Sequence, residues 1–114
     1  MAGTIEGRTA AEAALVARFK ELTERVLPEQ ARAERWPIRF DHCFKRICLD
    51  WAFGDVWYRH VERPAERHLC GEPLGRAVQC AEELLAGGLP VLRERDEASL
   101  RWRGKRPKRN EGAL

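Results

Sequence analysis

The sequence predicts an all-α domain, a small irregular bundle of four to five helices. Apolar residues recur at helical spacing in several segments, and proline or glycine separates these segments from one another. No sustained alternation of polar and apolar residues, hairpin motif or internal repeat indicates a strand or a solenoid. With 114 residues, 44% of them apolar, the chain fits one domain that can bury a core without disulfides.

The first predicted helix begins at a capping box. The side chains of Thr9 and Glu12 are spaced to bind free backbone N–H groups of the first turn. An apolar face follows at intervals of three and four residues, and Pro28 is expected to end the helix. A polar connector, "PEQARAERWP", leads to the next helix, either as a loop or as a helical turn that begins at Pro28 and stops before Pro37. The residues of the apolar face are Leu15, Phe19, Leu22 and Val26.

The stretch "FDHCFKRICLDWAF", residues 40–53, predicts the central helix. Leu49 and Phe53 point away from the main apolar face, so the helix has two apolar faces and is expected to be covered on both sides. The main face comprises Phe40, Phe44, Ile47 and Trp51. The predicted core of the domain centres on Phe19, Leu22, Phe44, Ile47, Trp51, Val78 and Leu85.

Four helical segments are predicted after Gly54. Asp55 can cap a renewed helix through Val61, and a single turn opens at Pro64. A longer helix then runs from about Pro73 to the pair Gly87-Gly88, and a last helix opens at Pro90. The apolar stripe of the longer helix is Leu74, Ala77, Val78, Ala81, Leu84 and Leu85.

Polar residues on the central helix are the first candidate site. The spacing of four residues predicts two ion pairs, Asp41 with Lys45 and Arg46 with Asp50. One interpretation is a set of paired polar groups on a buried helix. The other is a polar cleft formed by His42, Arg46 and Asp50, with the imidazole as general base or ligand donor, the guanidinium as anion clamp and the carboxylate holding the guanidinium.

The four cysteines, Cys43, Cys48, Cys70 and Cys80, are expected to be reduced thiols without a metal or another cofactor. Cys43 and Cys48 diverge by about 140° around a helix, too far for one ion, and only the weak pair His68 and Cys70 remains. Cys70 is also the only candidate nucleophile on a predicted loop. Catalysis stays uncertain on these grounds, and a non-enzymatic role is favoured.

Positive charge is concentrated at the C-terminus. Residues 1–100 carry 15 Lys/Arg against 17 Asp/Glu, whereas residues 101–114 carry 6 against 1. The chain is therefore divided into residues 1–8, a helical domain at residues 9–100 and a basic, flexible tail at residues 101–114. If nucleic acid is bound, the tail is expected to bind phosphates while an indole stacks on a base, and the domain should fold without the tail. The candidate residues are Arg101, Trp102, Arg103, Lys105, Arg106, Lys108 and Arg109.

The functional expectation is a small soluble interaction domain that acts through a protein partner or as a homo-oligomer. The alternatives are a nucleic-acid-binding accessory protein and a small-ligand or enzymatic site at the polar cleft. No apolar run reaches the ~20 residues needed to cross a membrane, and no signal peptide is visible, so a cytoplasmic location is expected. The motif "IEGR", Ile5 to Arg8, matches a factor Xa cleavage sequence and makes residues 1–8 a flexible N-terminus or a cloning remnant.

Overall fold

The computed structural model describes residues 8–106, and helices and turns form all the regular structure in this range. The elements are α1 (Ala10–Glu21), a π-helical turn (Leu22–Val26), α2 (Leu27–Glu34), α3 (Asp41–Phe53), a 3-10 turn (Trp57–Arg59), α4 (Ala65–His68), α5 (Gly71–Gly87) and α6 (Leu89–Trp102). α4 is a single turn, and the other five helices form the bundle. The predicted all-α fold is confirmed.

Pro28 does not end the first helical segment, contrary to the prediction. The capping box at Thr9 and Glu12 is present, but the chain passes from α1 through the π-helical turn into α2. Leu27 N–H donates to the carbonyl oxygen of Leu22, five residues earlier, so Pro28 falls in the first turn of a restarted helix. Proline is tolerated in the first turn of a helix. The N–H groups of that turn have no acceptor within the helix, so the N–H that proline lacks is not missed. The segment ends at Arg35, which has a φ of 58°.

The predicted central position of α3 is confirmed. This helix packs against α5, α6 and the π-helical turn. Trp36, in the loop before α3, is 1% exposed and lies edge-to-face against Phe44, with 6.4 Å between the ring centroids. The largest fully buried side chains are Trp36, Phe19, Phe44, Leu22, Leu27, Ile47, Leu74, Leu84 and Leu92.

Three predicted core positions are less buried than expected. Phe40 was predicted on the core face of α3 but is 64% exposed, because α3 begins only at Asp41 and the preceding backbone is extended. Trp51 and Leu85 are partly buried at the edge of the core. The side chains at these positions therefore contribute less to the core than the helical spacing suggests.

The renewed helix predicted after Gly54 is reduced to the 3-10 turn. Gly54 ends α3 in the left-handed conformation, with a φ of 65°. The predicted single turn is α4, and the glycine pair separates α5 from α6 as expected. No helix of the described residues is long and apolar enough to cross a membrane.

The start of the described chain contacts α4 and the first residue of α5. Arg8 Nη1 donates to the carbonyl oxygen of Glu66 at 2.8 Å, so this residue contacts the helical domain. Glu12 Oε2 accepts a hydrogen bond of 2.8 Å from Gly71 N–H, and its Oε1 accepts one from Thr9 N–H. Glu12 therefore caps α1 and also fixes the N-terminus of α5 against it.

Candidate functional site

The most buried charged group in the described chain is the carboxylate of Asp50, with 0% of the residue exposed. Ser99 Oγ donates to Asp50 Oδ2 at 2.6 Å, and Trp57 N–H donates to Oδ1 at 3.0 Å. Arg103 completes the set, with Nε 2.8 Å from Oδ2 and Nη2 3.2 Å from Oδ1. Because the carboxylate has a cation and four hydrogen bonds, its burial is compensated.

Arg46 belongs to the same hydrogen-bond network, but its partners are not the predicted ones. Its Nη1 donates to Ser99 Oγ at 2.8 Å, and its Nη2 donates to Asp96 Oδ1 at 2.7 Å. The direct ion pair with Asp50 that spacing predicted is not among the contacts of these described residues. The partners come from α6, because both side chains point from α3 toward that helix. The hydroxyl of Ser99 connects the two predicted site residues.

The other predicted pair on α3 is also wrong. Lys45 Nζ lies 2.6 Å from Glu24 Oε2 and 2.9 Å from Glu66 Oε2, so it bridges the π-helical turn and α4. Burial opposes the charge on Lys45, but the hydrogen bonds that its ammonium group donates to both carboxylates outweigh this effect and raise its pKa. Asp41 instead accepts a hydrogen bond of 2.8 Å from the backbone N–H of His42.

His42 lies outside the buried network. Its side chain is 78% exposed, and its ring stacks on Phe40 with 5.8 Å between centroids. The structure therefore brings together two of the three residues of the predicted cleft, Arg46 and Asp50, and leaves the imidazole at the surface. Both Arg46 and Asp50 bind the hydroxyl of Ser99 on α6, an arrangement that stabilises helix packing.

The predicted basic tail begins inside α6. Arg101 and Trp102 are helical, and Trp102 packs on Trp51 with ring centroids 6.2 Å apart. Arg103 binds Asp50, so the folded domain extends beyond residue 100, where the sequence-based boundary was drawn. Lys105 and Arg106 follow and are exposed. The candidates Lys108 and Arg109 lie outside the described residues.

A cationic aromatic surface forms where this segment meets the 3-10 turn. Tyr58 is 43% exposed, and its ring centroid lies 4.4 Å from the guanidinium carbon of Arg63 and 5.4 Å from that of Arg103. Both distances fall within the range of cation–π contacts. We call Tyr58, Arg63 and Arg103, with the adjoining Lys105 and Arg106, the Tyr58 surface.

The cysteines do not form a metal site in the described chain. No three His, Cys, Asp or Glu side chains converge there. Cys70, the predicted nucleophile candidate, is exposed at the start of α5, while His68 binds the carbonyl oxygen of Pro64 at 3.3 Å. Cys48 on α3 and Cys80 on α5 are buried, and their side chains interact with each other.

A shallow groove on the outer surface of α1 and the π-helical turn contains none of the predicted site residues. Charged side chains of both signs line it together with a single alanine, and they are Ala17, Lys20, Glu21, Glu24 and Arg25. Arg25 pairs with Glu21 and Glu29 along the helix, so its charge is already compensated there. The Tyr58 surface carries the more concentrated positive charge.

Comparison of the chain with protein-family models, with curated proteins and with solved structures gives no match. The proposals below therefore depend on the geometry of this chain alone.

Two important residues were not predicted from the sequence. Neither Ser99 nor Tyr58 was selected from the sequence as a candidate site residue. Ser99 and Arg103 are four residues apart on the path of α6, which places them on one side of a helix. That spacing is the only sequence signal for their shared role. Their partner lies 49 and 53 residues away, beyond the reach of any local pattern.

Proposed function

We propose that this protein is an interaction domain that binds single-stranded nucleic acid at the Tyr58 surface. The observation that supports the proposal is an exposed aromatic ring flanked by two guanidinium groups and followed by two exposed cations. A single strand offers accessible base faces and regularly spaced phosphates. Aromatic rings and the guanidinium planes of arginine stack on the base faces. Lysine and arginine side chains bind the phosphates.

The residues of the Tyr58 surface would have different roles. Arg63 lies over the tyrosine ring, so a base can stack on the outer face of its guanidinium or replace it on the ring. Lys105 and Arg106 have exposed side chains suited to phosphates. Arg103 is committed to Asp50 and would mainly position the following residues.

Charge distribution favours this surface over the rest of the domain. The chain up to residue 100 carries a small excess of acidic residues, so its average field repels a polyanion. The segment after residue 100 carries most of the excess positive charge, and its first residues adjoin Tyr58. A strand bound there would meet cations and an aromatic ring on one side of the molecule.

Fluorescence anisotropy of a labelled single-stranded oligonucleotide at low salt tests the proposal. Tyr58→Ala should weaken binding by about 1–3 kcal/mol, the usual contribution of one base–aromatic stack. Tyr58→Phe keeps the ring and should bind like the wild type. Absence of binding by the wild-type protein, or equal binding by Tyr58→Ala, would contradict the proposal.

Self-association is a second candidate, and it follows from a different surface. Phe40 is exposed, stacks on His42 and is flanked in sequence by Arg39 and Asp41. In a two-fold dimer the same patch meets itself, so an apolar ring bordered by one cation and one anion is self-complementary. Sedimentation velocity over a range of concentrations tests it. A dimer that dissociates in Phe40→Asp supports the candidate, and a wild-type monomer at every concentration rules it out.

A further inference from the structure

A buried pair of thiols beneath an ion pair is the feature that the proposed function does not use. Cys48 on α3 is 0% exposed and Cys80 on α5 is 1% exposed, and the two side chains interact with each other. Arg95 on α6 places Nη1 3.5 Å from Cys80 Sγ. Three helices therefore converge on this pair of sulfur atoms.

Two further contacts hold Arg95 in this position. Its Nη1 lies 2.7 Å from Glu83 Oε1, and its guanidinium carbon lies 4.2 Å from the ring centroid of Trp51. Its Nε is buried and has no hydrogen-bond partner among the described residues. A guanidinium fixed in this way beside a sulfur atom favours the thiolate over the thiol.

The two sulfurs differ in their environment. The hydrogen bond from Cys48 lowers the pKa of Cys80, and Arg95 lowers it further, against the opposing effect of burial. Burial raises the pKa of Cys48 well above its usual value. In thiol–disulfide chemistry a nucleophilic thiolate is stabilised by a nearby cation, and a resolving thiol must lie close to that thiolate. Cys80 beside Arg95 matches the nucleophile, and Cys48 matches the resolving thiol.

Access to Cys80 leads past Arg95 and Glu83. The side chain of Arg95 is 13% exposed and that of Glu83 is 41% exposed, and both are bonded to each other above the sulfur. The thiol therefore lies one side chain below the surface. Oxidation of Cys80 by a small hydroperoxide therefore requires a local displacement of this ion pair.

We infer that Cys80 is an oxidation site and that a small hydroperoxide converts Cys80 and Cys48 into a disulfide joining α5 to α3. The Cys80 thiolate attacks the peroxide, the O–O bond breaks, and sulfenic acid forms while the released hydroxide or alkoxide takes a proton. The Cys48 sulfur then attacks the Cys80 sulfur, the S–O bond breaks, and water leaves with the Cys48 proton. Each sulfur loses one electron, and the peroxide gains two.

The position of the two cysteines makes this disulfide the favoured product. Cys48 and Cys80 are buried neighbours on two helices that pack against each other, and a disulfide brings such a pair to an S–S length of about 2.05 Å. Cys43 and Cys70 belong to other parts of the surface, and Cys70 is the exposed thiol of the four. Simple accessibility would therefore direct oxidation to Cys70 and not to Cys80.

Mass-spectrometric mapping after hydrogen peroxide treatment of the folded, full-length protein distinguishes these outcomes. The expected product lacks two hydrogen atoms and yields a peptide pair linked through Cys48 and Cys80. Cys43→Ser and Cys70→Ser should retain it, and Cys48→Ser should leave Cys80 trapped as sulfenic acid that reacts with dimedone. Arg95→Lys retains a positive charge without the planar guanidinium contacts and should slow disulfide formation.

Peptide mapping of the oxidised wild-type protein tests the inference even if a variant does not fold. Circular dichroism recorded before and after treatment shows whether the helices persist during oxidation. Oxidation confined to Cys70, a disulfide that includes Cys43 or Cys70, or formation of the predicted link only after the helical signal is lost would each overturn the inference. The result is independent of nucleic-acid binding and does not depend on the proposed function.

Discussion

Arg103 and Asp50 are 53 residues apart in the chain and form a two-point ion pair, with Arg103 Nε 2.8 Å from Asp50 Oδ2 and Nη2 3.2 Å from Oδ1. The carboxylate belongs to the central helix and the guanidinium to the segment just after α6. This contact joins the basic C-terminal segment to the core of the domain. The segment therefore contributes to the fold, whatever it binds.

Arg103→Ala should destabilise the protein by about 3 kcal/mol, because it leaves a buried carboxylate without its cation. Chemical denaturation monitored by circular dichroism measures the change. Arg101→Ala removes an equal charge from an exposed position two residues earlier and should change stability by less than about 0.5 kcal/mol. Equal stability of the two variants would mean that solvent replaces the ion pair.

Removal of residues 101–114 should destabilise the domain as well, in contrast to the sequence-based expectation of a dispensable tail. The deletion removes Arg103 together with Trp102, which packs on Trp51. Thermal unfolding of the truncated and full-length proteins measures the difference. A truncated protein with an unchanged melting temperature would show that neither contact contributes to stability.

Trp36→Ala should cost about 3–5 kcal/mol, as expected for removal of a large buried aromatic side chain. Trp36 is 1% exposed and contacts Phe44 in the core. Phe40→Ala, four residues later at an exposed site, is the matched control and should be nearly neutral. Urea denaturation of both variants tests the prediction. A neutral Trp36→Ala would mean that the loop before α3 is not fixed to the core.

Glu12 should give the stability of the protein a component that disappears in acid. Hydrogen bonds from the backbone N–H groups of Gly71 and Thr9 lower the pKa of its carboxyl group. The folded-state pKa therefore lies below the unfolded value of about 4.3, so the contribution is complete above that pH and disappears as the pH falls through the lowered value. Glu12→Gln should remove this component. An NMR titration that finds no lowering of the Glu12 pKa would contradict the prediction.

Salt dependence separates phosphate binding from stacking in the proposed nucleic-acid complex. Removing one cation that binds a phosphate should make the slope of log K against log salt shallower by about 0.7 for a single strand. Lys105→Gln should therefore reduce the slope, whereas Tyr58→Ala should weaken binding at every salt concentration with the slope unchanged. Arg18→Gln controls for net charge, because this arginine pairs with Glu82 on the surface of α1 and α5. An identical slope for Lys105→Gln would exclude Lys105 as a phosphate-binding residue.

The sequence by itself determined the helical class, the start of α1 at its capping box, the central position of α3 and the division between α5 and α6. These features depend on residues close together in the chain, such as the hydrogen bonds between Thr9 and Glu12 and the left-handed turn at Gly54. Apolar spacing within one helix also identified Phe44 and Ile47 as core. Local geometry is sufficient for all of these.

The ion-pair and hydrogen-bond partners of the polar side chains were determined only by the tertiary structure. Spacing along α3 paired Arg46 with Asp50 and Lys45 with Asp41, but each cation binds carboxylates from other elements. A buried charge needs the nearest partner in space, and a partner from another helix can lie closer than a residue one turn away. Helix packing is set by the shape of the whole core, and for that reason no local pattern contains the contact of Asp50 with Ser99 and Arg103.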